Sequence, residues 1–342
     1  MERKTNQKHL DRILTGLLAS SALLFLLAAC GGDLSLPYGD GRPDAPANGE
    51  LVPMVIEAMV ENGSMTRAAT TTTLNSGSVG VFRTAPVSTY CPAQYNVPYT
   101  YSDTGWQAAD TDNKILVGGE DASLHAYYPY NSVTFDTTVK TQTTLTVTDY
   151  TTDNDLCYAD APTAVINNKN PKASFVLKHA YARLKFSITR NSSYPNDCKI
   201  TKLVMQPVNA GSDFYTTRTM DISKPAGDAA QLGGSIATDW TPDISSLVIY
   251  TTGIAKGAEN TEIDKLFPPQ EFTIGVGTKL TLTIDGREYT VTIPNATLTG
   301  LKAGYESTVK LEVQGTGVSV TGVKANPWET SAVAGDNGAT MD

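Results

Sequence analysis

The first regular pattern in the chain is LVPMVIEAMV, residues 51–60. Val52, Met54, Ile56, Ala58 and Val60 fall at every second position, and Pro53 and Glu57 lie on the opposite face. Successive side chains of a strand point to opposite faces, so the segment predicts a strand with one wholly apolar face. Pro53 cannot donate a ladder hydrogen bond, which points to an edge strand. Shorter alternating runs follow: VGVFR (79–83), TLTVT (144–148), LKFSITR (184–190), STVKLEVQG (307–315) and GVSVTGV (317–323). In KLTLTIDGREYTVTIP (279–294), Leu280, Leu282 and Ile284 face one way, and Tyr289, Val291 and Ile293 answer them across Asp285-Gly286. That dipeptide suits a two-residue type I′ turn, whose central residues both need positive φ. Many short strands separated by turns predict an all-β protein built of β-sandwiches. A boundary near 180 divides it into two domains in tandem, 51–180 and 181–325, followed by a polar tail at 326–342 that contains Trp328. No internal repeat is visible.

Ahead of the first strand the pattern changes. Arg3, Lys4, Lys8 and Arg12 precede an apolar run from Ile13 to Ala29, which ends in Leu27-Ala28-Ala29-Cys30. A basic start, a short apolar core and small residues before a cut make a secretory signal, residues 1–29. The run is short for a membrane span. A cysteine directly after the small residues resembles a bacterial lipobox, which makes Cys30 the lipidated first residue of the mature chain. Acyl chains add about 0.8 kcal/mol per buried CH2, so several would anchor the protein stably. Residues 30–50, rich in Gly, Pro and Asp, read as a flexible tether.

The 342-residue chain is 40% hydrophobic and carries a net charge of −9. Removing residues 1–29 leaves 22 basic against 33 acidic residues, a net −11. Such a balance gives phosphate nothing to bind, so nucleic acid is not an expected partner. Cys91, Cys157 and Cys198 remain after Cys30, an odd number that leaves at least one thiol unpaired in a monomer. None lies near a histidine in sequence, and they read as small core residues. His125 and His179 have no second ligand at metal spacing, and each reads as a half-buried ring satisfied by backbone. Asp153, Asp155 and Asp160 lack the Gly and terminal Glu of an EF-hand loop and read as a solvated loop with Asx turns. No nucleophile, zinc-helix or phosphate-loop motif is present. The expectation is a non-enzymatic protein with no cofactor and no metal.

Several segments, in order, carry a family likeness: LVPMVIEAMV…TRA (51–68), SVGVF (78–82), LHAYYPYN (124–131), DLCYAD (155–160), FVLKHAYARLKFSI (175–188) and FPPQEF…LTLTIDGREYTVTIP…LKAGYESTVKLEV (267–313). This ordered set, with the lipobox, resembles the fimbrillin family of lipoprotein pilins that build type V pili. The resemblance implies two transthyretin-like β-sandwich domains in tandem. It implies transport to the outer membrane and cutting by an arginine-specific protease just past the first strand. Loss of that strand opens an apolar groove, which a neighbouring subunit's C-terminal strand fills. The partners are then other pilus subunits, the outer membrane through the lipid, and a host or bacterial surface ligand. The cell surface and its fimbria are the expected location.

Carried onto this chain, the cut falls at Arg67–Ala68, in the small polar run GSMTRAATTTTLNSG (63–77). Taken alone, Arg67 is a solvated loop residue. Arg42 is a second candidate, but Pro43 follows it and a cut there leaves the first strand attached. The groove strand is Val52, Met54, Ile56, Ala58 and Val60. The candidate donor is GVSVTGV, with Val318 and Val320 on one face and Gly322 allowing a bulge or a change of face before Val323. The chain runs on past this donor, a departure from a stalk subunit that ends in its donor strand. The alternative is a monomeric surface lipoprotein that binds glycan or host protein through Trp106 and the Tyr127-Tyr128-Pro129-Tyr130 cluster. Aromatics of this density in a β protein are more often core and edge packing.

Overall fold

A computed structural model describes residues 50–62, 70–88, 91–130, 143–148, 155–208, 215–225, 228, 231–236, 239–272 and 277–328. The chain begins with β1 (Val52–Pro53), β2 (Val55–Asn62), β3 (Thr70–Thr73), β4 (Ser78–Ala85), β5 (Gln94–Ser102) and β6 (Gly105–Ala108). It continues with β7 (Leu116–Val117), β8 (Ser123–Tyr128), β9 (Thr144–Thr148), β10 (Cys157–Ala159) and β11 (Lys172–His179). Next come β12 (Ala182–Arg190), β13 (Ile200–Pro207), β14 (Tyr215–Asp221), β15 (Leu232–Ile236) and the one-turn helix α1 (Val248–Thr251). The last strands are β16 (Glu259–Phe267), β17 (Gln270–Glu271), β18 (Thr278–Ile284), β19 (Arg287–Ile293), β20 (Gly300–Leu301), β21 (Tyr305–Gln314) and β22 (Gly317–Pro327). The fold is all-β, and these elements belong to one compact unit, Leu51–Asp342. No helix among the described residues is long and apolar enough to cross a membrane.

The first half is organised by one sheet of eight strands, in the order β3-β2-β11-β10-β8-β4-β5-β6. It curls until β2 approaches β6, so its inner face closes on a single core. Met54, Ile56, Ala58 and Val60 enter that core with Val81, Val97, Tyr99, Leu124, Phe175 and Leu177. A wide sheet with one apolar face buries it by folding over on itself.

The second half packs two sheets face to face, β16-β12-β21-β22 and β13-β18-β19. Leu184, Phe186 and Ile188 from β12 meet Leu280, Leu282 and Ile284 from β18 in one core, joined by Val309, Leu311 and Val313 from β21. The predicted hairpin is present as β18 and β19, with Leu280 opposite Val291 and Leu282 opposite Tyr289. Asp285 and Gly286 have φ of 48° and 79°. The Asp285 carboxylate accepts from Cys198 N, Lys199 N and the Tyr194 hydroxyl at 2.9–3.1 Å, which pins the turn to the chain before β13.

A third cluster joins the halves. Phe82, Tyr127, Tyr158, Tyr181, Met220, Leu266 and Trp328 pack together there. Strand β9 pairs with β14 and not with the eight-stranded sheet, so a strand from before residue 180 completes a sheet whose other members come after it. The three described thiols of Cys91, Cys157 and Cys198 are free and buried.

Candidate functional site

The strand expected at 51–60 divides into two. Pro53 pairs with Leu116 in a two-stranded ribbon of β1 and β7. Met54 N donates to Ile115 O and Val55 N to Pro171 O, both at 2.9 Å, so the chain changes partner directly after the proline. The edge expected from Pro53 is therefore the edge of that ribbon. Strand β2 itself is interior: it runs parallel to β11 and antiparallel to β3. A residue without an N–H is accommodated by ending one ladder before the next begins.

The apolar face is as the alternation predicts. Met54, Ile56, Ala58 and Val60 are all at most 4% exposed, and Val52 packs against the same core from a half-buried position. Val55 and Glu57, between them, face solvent. Across the parallel pair Ile56 lies beside Ala173, Ala58 beside Phe175 and Val60 beside Leu177. Large and small side chains alternate across this ladder, so a two-residue slip would bring Ile56 or Val60 against Phe175. The outer face holds β2 weakly. Lys172 Nζ reaches Glu57 Oε1 at 2.7 Å, but both groups are about half exposed. The hydrogen bond from Lys172 keeps the Glu57 carboxyl below its usual range; such exposed pairs add little stability. The ladder and the apolar face therefore hold the strand.

Taking β2 away would unpair that edge of β11 along Lys172–Leu177 and remove the one ladder that β3 makes among the described strands. The result is a slot walled on both sides by unpaired backbone, with the core side chains of Ala173, Phe175 and Leu177 along the β11 wall. An open edge over an apolar floor invites another strand. Any strand that takes the place must bring a small side chain to Phe175. Arg67, Ala68 and Cys30 lie outside the described residues.

Strand β22 forms the edge of its sheet and pairs antiparallel with β21 from Gly317 opposite Gln314 to Pro327 opposite Tyr305. The register shifts at Thr321, between Val320 opposite Leu311 and Gly322 opposite Lys310. The extra residue returns Val323 to the face of Val318 and Val320, and all three pack half-buried on the second core. The strand extends past the expected start of the tail at 326. Trp328 is 3% exposed and belongs to the cluster joining the halves; a large ring there buries apolar area that a polar tail could not.

A second cluster has no counterpart in the sequence reading. Asp155 is 4% exposed and its Oδ2 lies 2.5 Å from His179 Nδ1, which replaces the solvated loop expected at Asp155. His179, 3% exposed, is paired with a side chain and not with backbone. Cys157 Sγ lies 3.7 Å from that same Nδ1 and 4.0 Å from Asp155 Oδ2, because β10 and β11 place Cys157 opposite His179. These three groups could converge on a metal ion. However, nitrogen and oxygen donors on one tetrahedral ion sit about 3.3 Å apart, and the 2.5 Å between Asp155 and His179 is a hydrogen-bond spacing. A nucleophile relay needs acid and nucleophile on opposite ring nitrogens, whereas here both meet Nδ1. Burial, then the Asp155 charge, pushes the Cys157 thiol well up, which disfavours a thiolate. Asp160 holds Lys178 at 2.5 Å, and Asp153 lies outside the described residues. The only signal for this cluster was the two-residue spacing of Asp155 and Cys157, which alternation alone puts on one face.

The aromatics of the sugar-binding alternative are mostly interior. Trp106 is 8% exposed, Tyr127 0% and Tyr128 4%. The Tyr127 hydroxyl donates to Asn96 Oδ1 at 2.8 Å, and Trp106 sits edge-on to Tyr101 at 5.4 Å. Trp106, Tyr127 and Tyr128 pack the core, and Tyr130 is half-buried beside it. His125 is also buried, 3.3 Å from Thr84 Oγ1, and burial lowers its pKa.

The profile of the fimbrillin-like family matches residues 66–328. No curated protein matches the chain. Among solved structures, a candidate cell adhesion protein from Bacteroides uniformis aligns at 17% identity and TM-score 0.52, over 81% of this chain and 99% of that one. A candidate cell adhesion protein from Bacteroides ovatus aligns at 15% identity and TM-score 0.54, over 82% and 99%. At these identities the likeness is one of fold.

Proposed function

Since the chain belongs to the fimbrillin-like family, we propose that it is a structural subunit of a cell-surface type V fimbria, assembled by strand exchange and supporting adhesion. In this reading the signal at 1–29 directs export, Cys30 carries the lipid in the outer membrane, and residues 30–50 hold the folded part off the surface. The 51–180 and 181–325 halves act as the acceptor and donor domains. Cleavage of Arg67–Ala68 frees β1 and β2, and β22 of a second subunit enters the slot.

The observation that carries the reading is the placement of β2. Ile56, Ala58 and Val60 on its inner face are core, its outer face is weakly tied, and it lies N-terminal to the candidate cut while its walls lie C-terminal. Removing it takes β1 with it and interrupts no strand that lies after the cut. Refilling the slot restores two ladders and reburies apolar floor at about 25 cal/mol per Å2, before the cost of ordering the incoming strand. The test is Arg67→Ala in the exported protein treated with an arginine-specific protease. The wild type is expected to shorten to Ala68 and form polymers resistant to mild denaturant. The variant is expected to stay long and monomeric, and polymerisation at the wild-type rate contradicts the reading.

A further inference from the structure

Trp328, the residue after β22, contacts two side chains that flank the bend between β11 and β12. Its ring stacks on His179 at 4.1 Å and 16°, and the Arg183 guanidinium lies over it at 5.3 Å. Arg183 is itself held by Asp264 in a forked pair at 2.7–3.2 Å. Trp328 N donates to Gly304 O, and Gly304 N to Tyr181 O, both at 2.8 Å. The end of β22 is thus seated at the bend between β11 and β12.

His179 is the last residue of β11, and Leu177, two residues earlier, is the last that pairs with β2. One strand therefore carries the removable strand along most of its length and the seat of Trp328 at its end. We infer that β11 couples the two: while β2 is in place, His179 is held rigid and Trp328 latches β22 to its own molecule, and when β2 leaves, the latch loosens. The inference rests on β22 being the donor strand, and it adds that donation is blocked until the groove is open.

The seat is built to be leavable. Trp328 Nε1, His179 Nε2 and Asp155 Oδ1 are buried with no hydrogen-bond partner among the described residues, so stacking holds the ring and no hydrogen bond of its indole does. Unpaired buried polar atoms offset part of what burial contributes. A contact held in this way opens once its neighbours give, and the coupling is reciprocal: anything that frees Trp328 also weakens the hold on β2.

The test is amide hydrogen exchange of the uncut, exported protein, read strand by strand, in four forms: wild type, Ile56→Ala, Trp328→Ala and the double variant. Ile56→Ala loosens β2 without a protease. It is expected to speed exchange in β22 at least about tenfold while β18 and β19 stay protected. Trp328→Ala is expected to speed β22 to a similar rate, with no further gain in the double variant. Trp328→Phe, which keeps a ring to stack, is expected to restore most of the protection. An Ile56→Ala effect on β22 that is absent, or equal in both backgrounds, overturns the coupling. Equal acceleration of β18 and β19 also overturns it, by assigning Trp328 to global stability. If β22 opens as expected yet does not cross-link to the slot of a second subunit after the cut, the coupling stands and the donor assignment fails.

Discussion

Gly80 on β4 faces the Tyr127 ring so closely that a Cβ there would overlap it, and would lie 2.7 Å from Asn96 Oδ1. The same ring packs against Phe82, with centroids 5.9 Å apart, in the cluster that joins the halves. Gly80→Ala should therefore cost about 1–3 kcal/mol by overpacking, read as a lower urea midpoint at unchanged slope. An unchanged midpoint means the ring is free to move aside. At this scale the sequence was legible where neighbours in space are neighbours in the alternation. Met54, Ile56, Ala58 and Val60 are buried as their period requires. Asp155, His179 and Trp328 escaped because their meeting depends on pairs far apart in the chain. No local period links a residue just before β10 to one just after β22.

Strand β2 is held from both sides, and this governs what its removal does. A cut that releases it is expected to deprotect Ala173–Leu177 and Thr71–Thr73 together, because each loses the same ladder. Hydrogen exchange on the freshly cut monomer, before polymers form, reads both segments. Protection that persists in Thr71–Thr73 would mean that β3 finds another partner and that the slot has one wall only. The existence of β2, the type I′ hairpin and the bulge in β22 were all readable from period and turn chemistry. The break at Pro53 was readable only in part. A missing N–H forbids a ladder bond at that residue but does not say which ladder the chain joins next.

At the scale of the molecule, the sequence supports an all-β chain, and the structure shows how its two halves make their layers differently. One curls a single sheet round its core and the other stacks two sheets. The joining cluster, and the crossing of β9 into the later sheet, were not legible, since strand pairing between distant segments leaves no mark on local alternation. The joining cluster is where Trp328, directly after β22, meets β11, the strand that pairs with β2. The central claim is that this chain assembles only after losing its first strand. The most direct measurement is the N-terminal residue of subunits recovered from intact surface polymers, by mass spectrometry. The expected first residue is Ala68. Polymers whose subunits begin at Cys30, with β2 still in place, would contradict it.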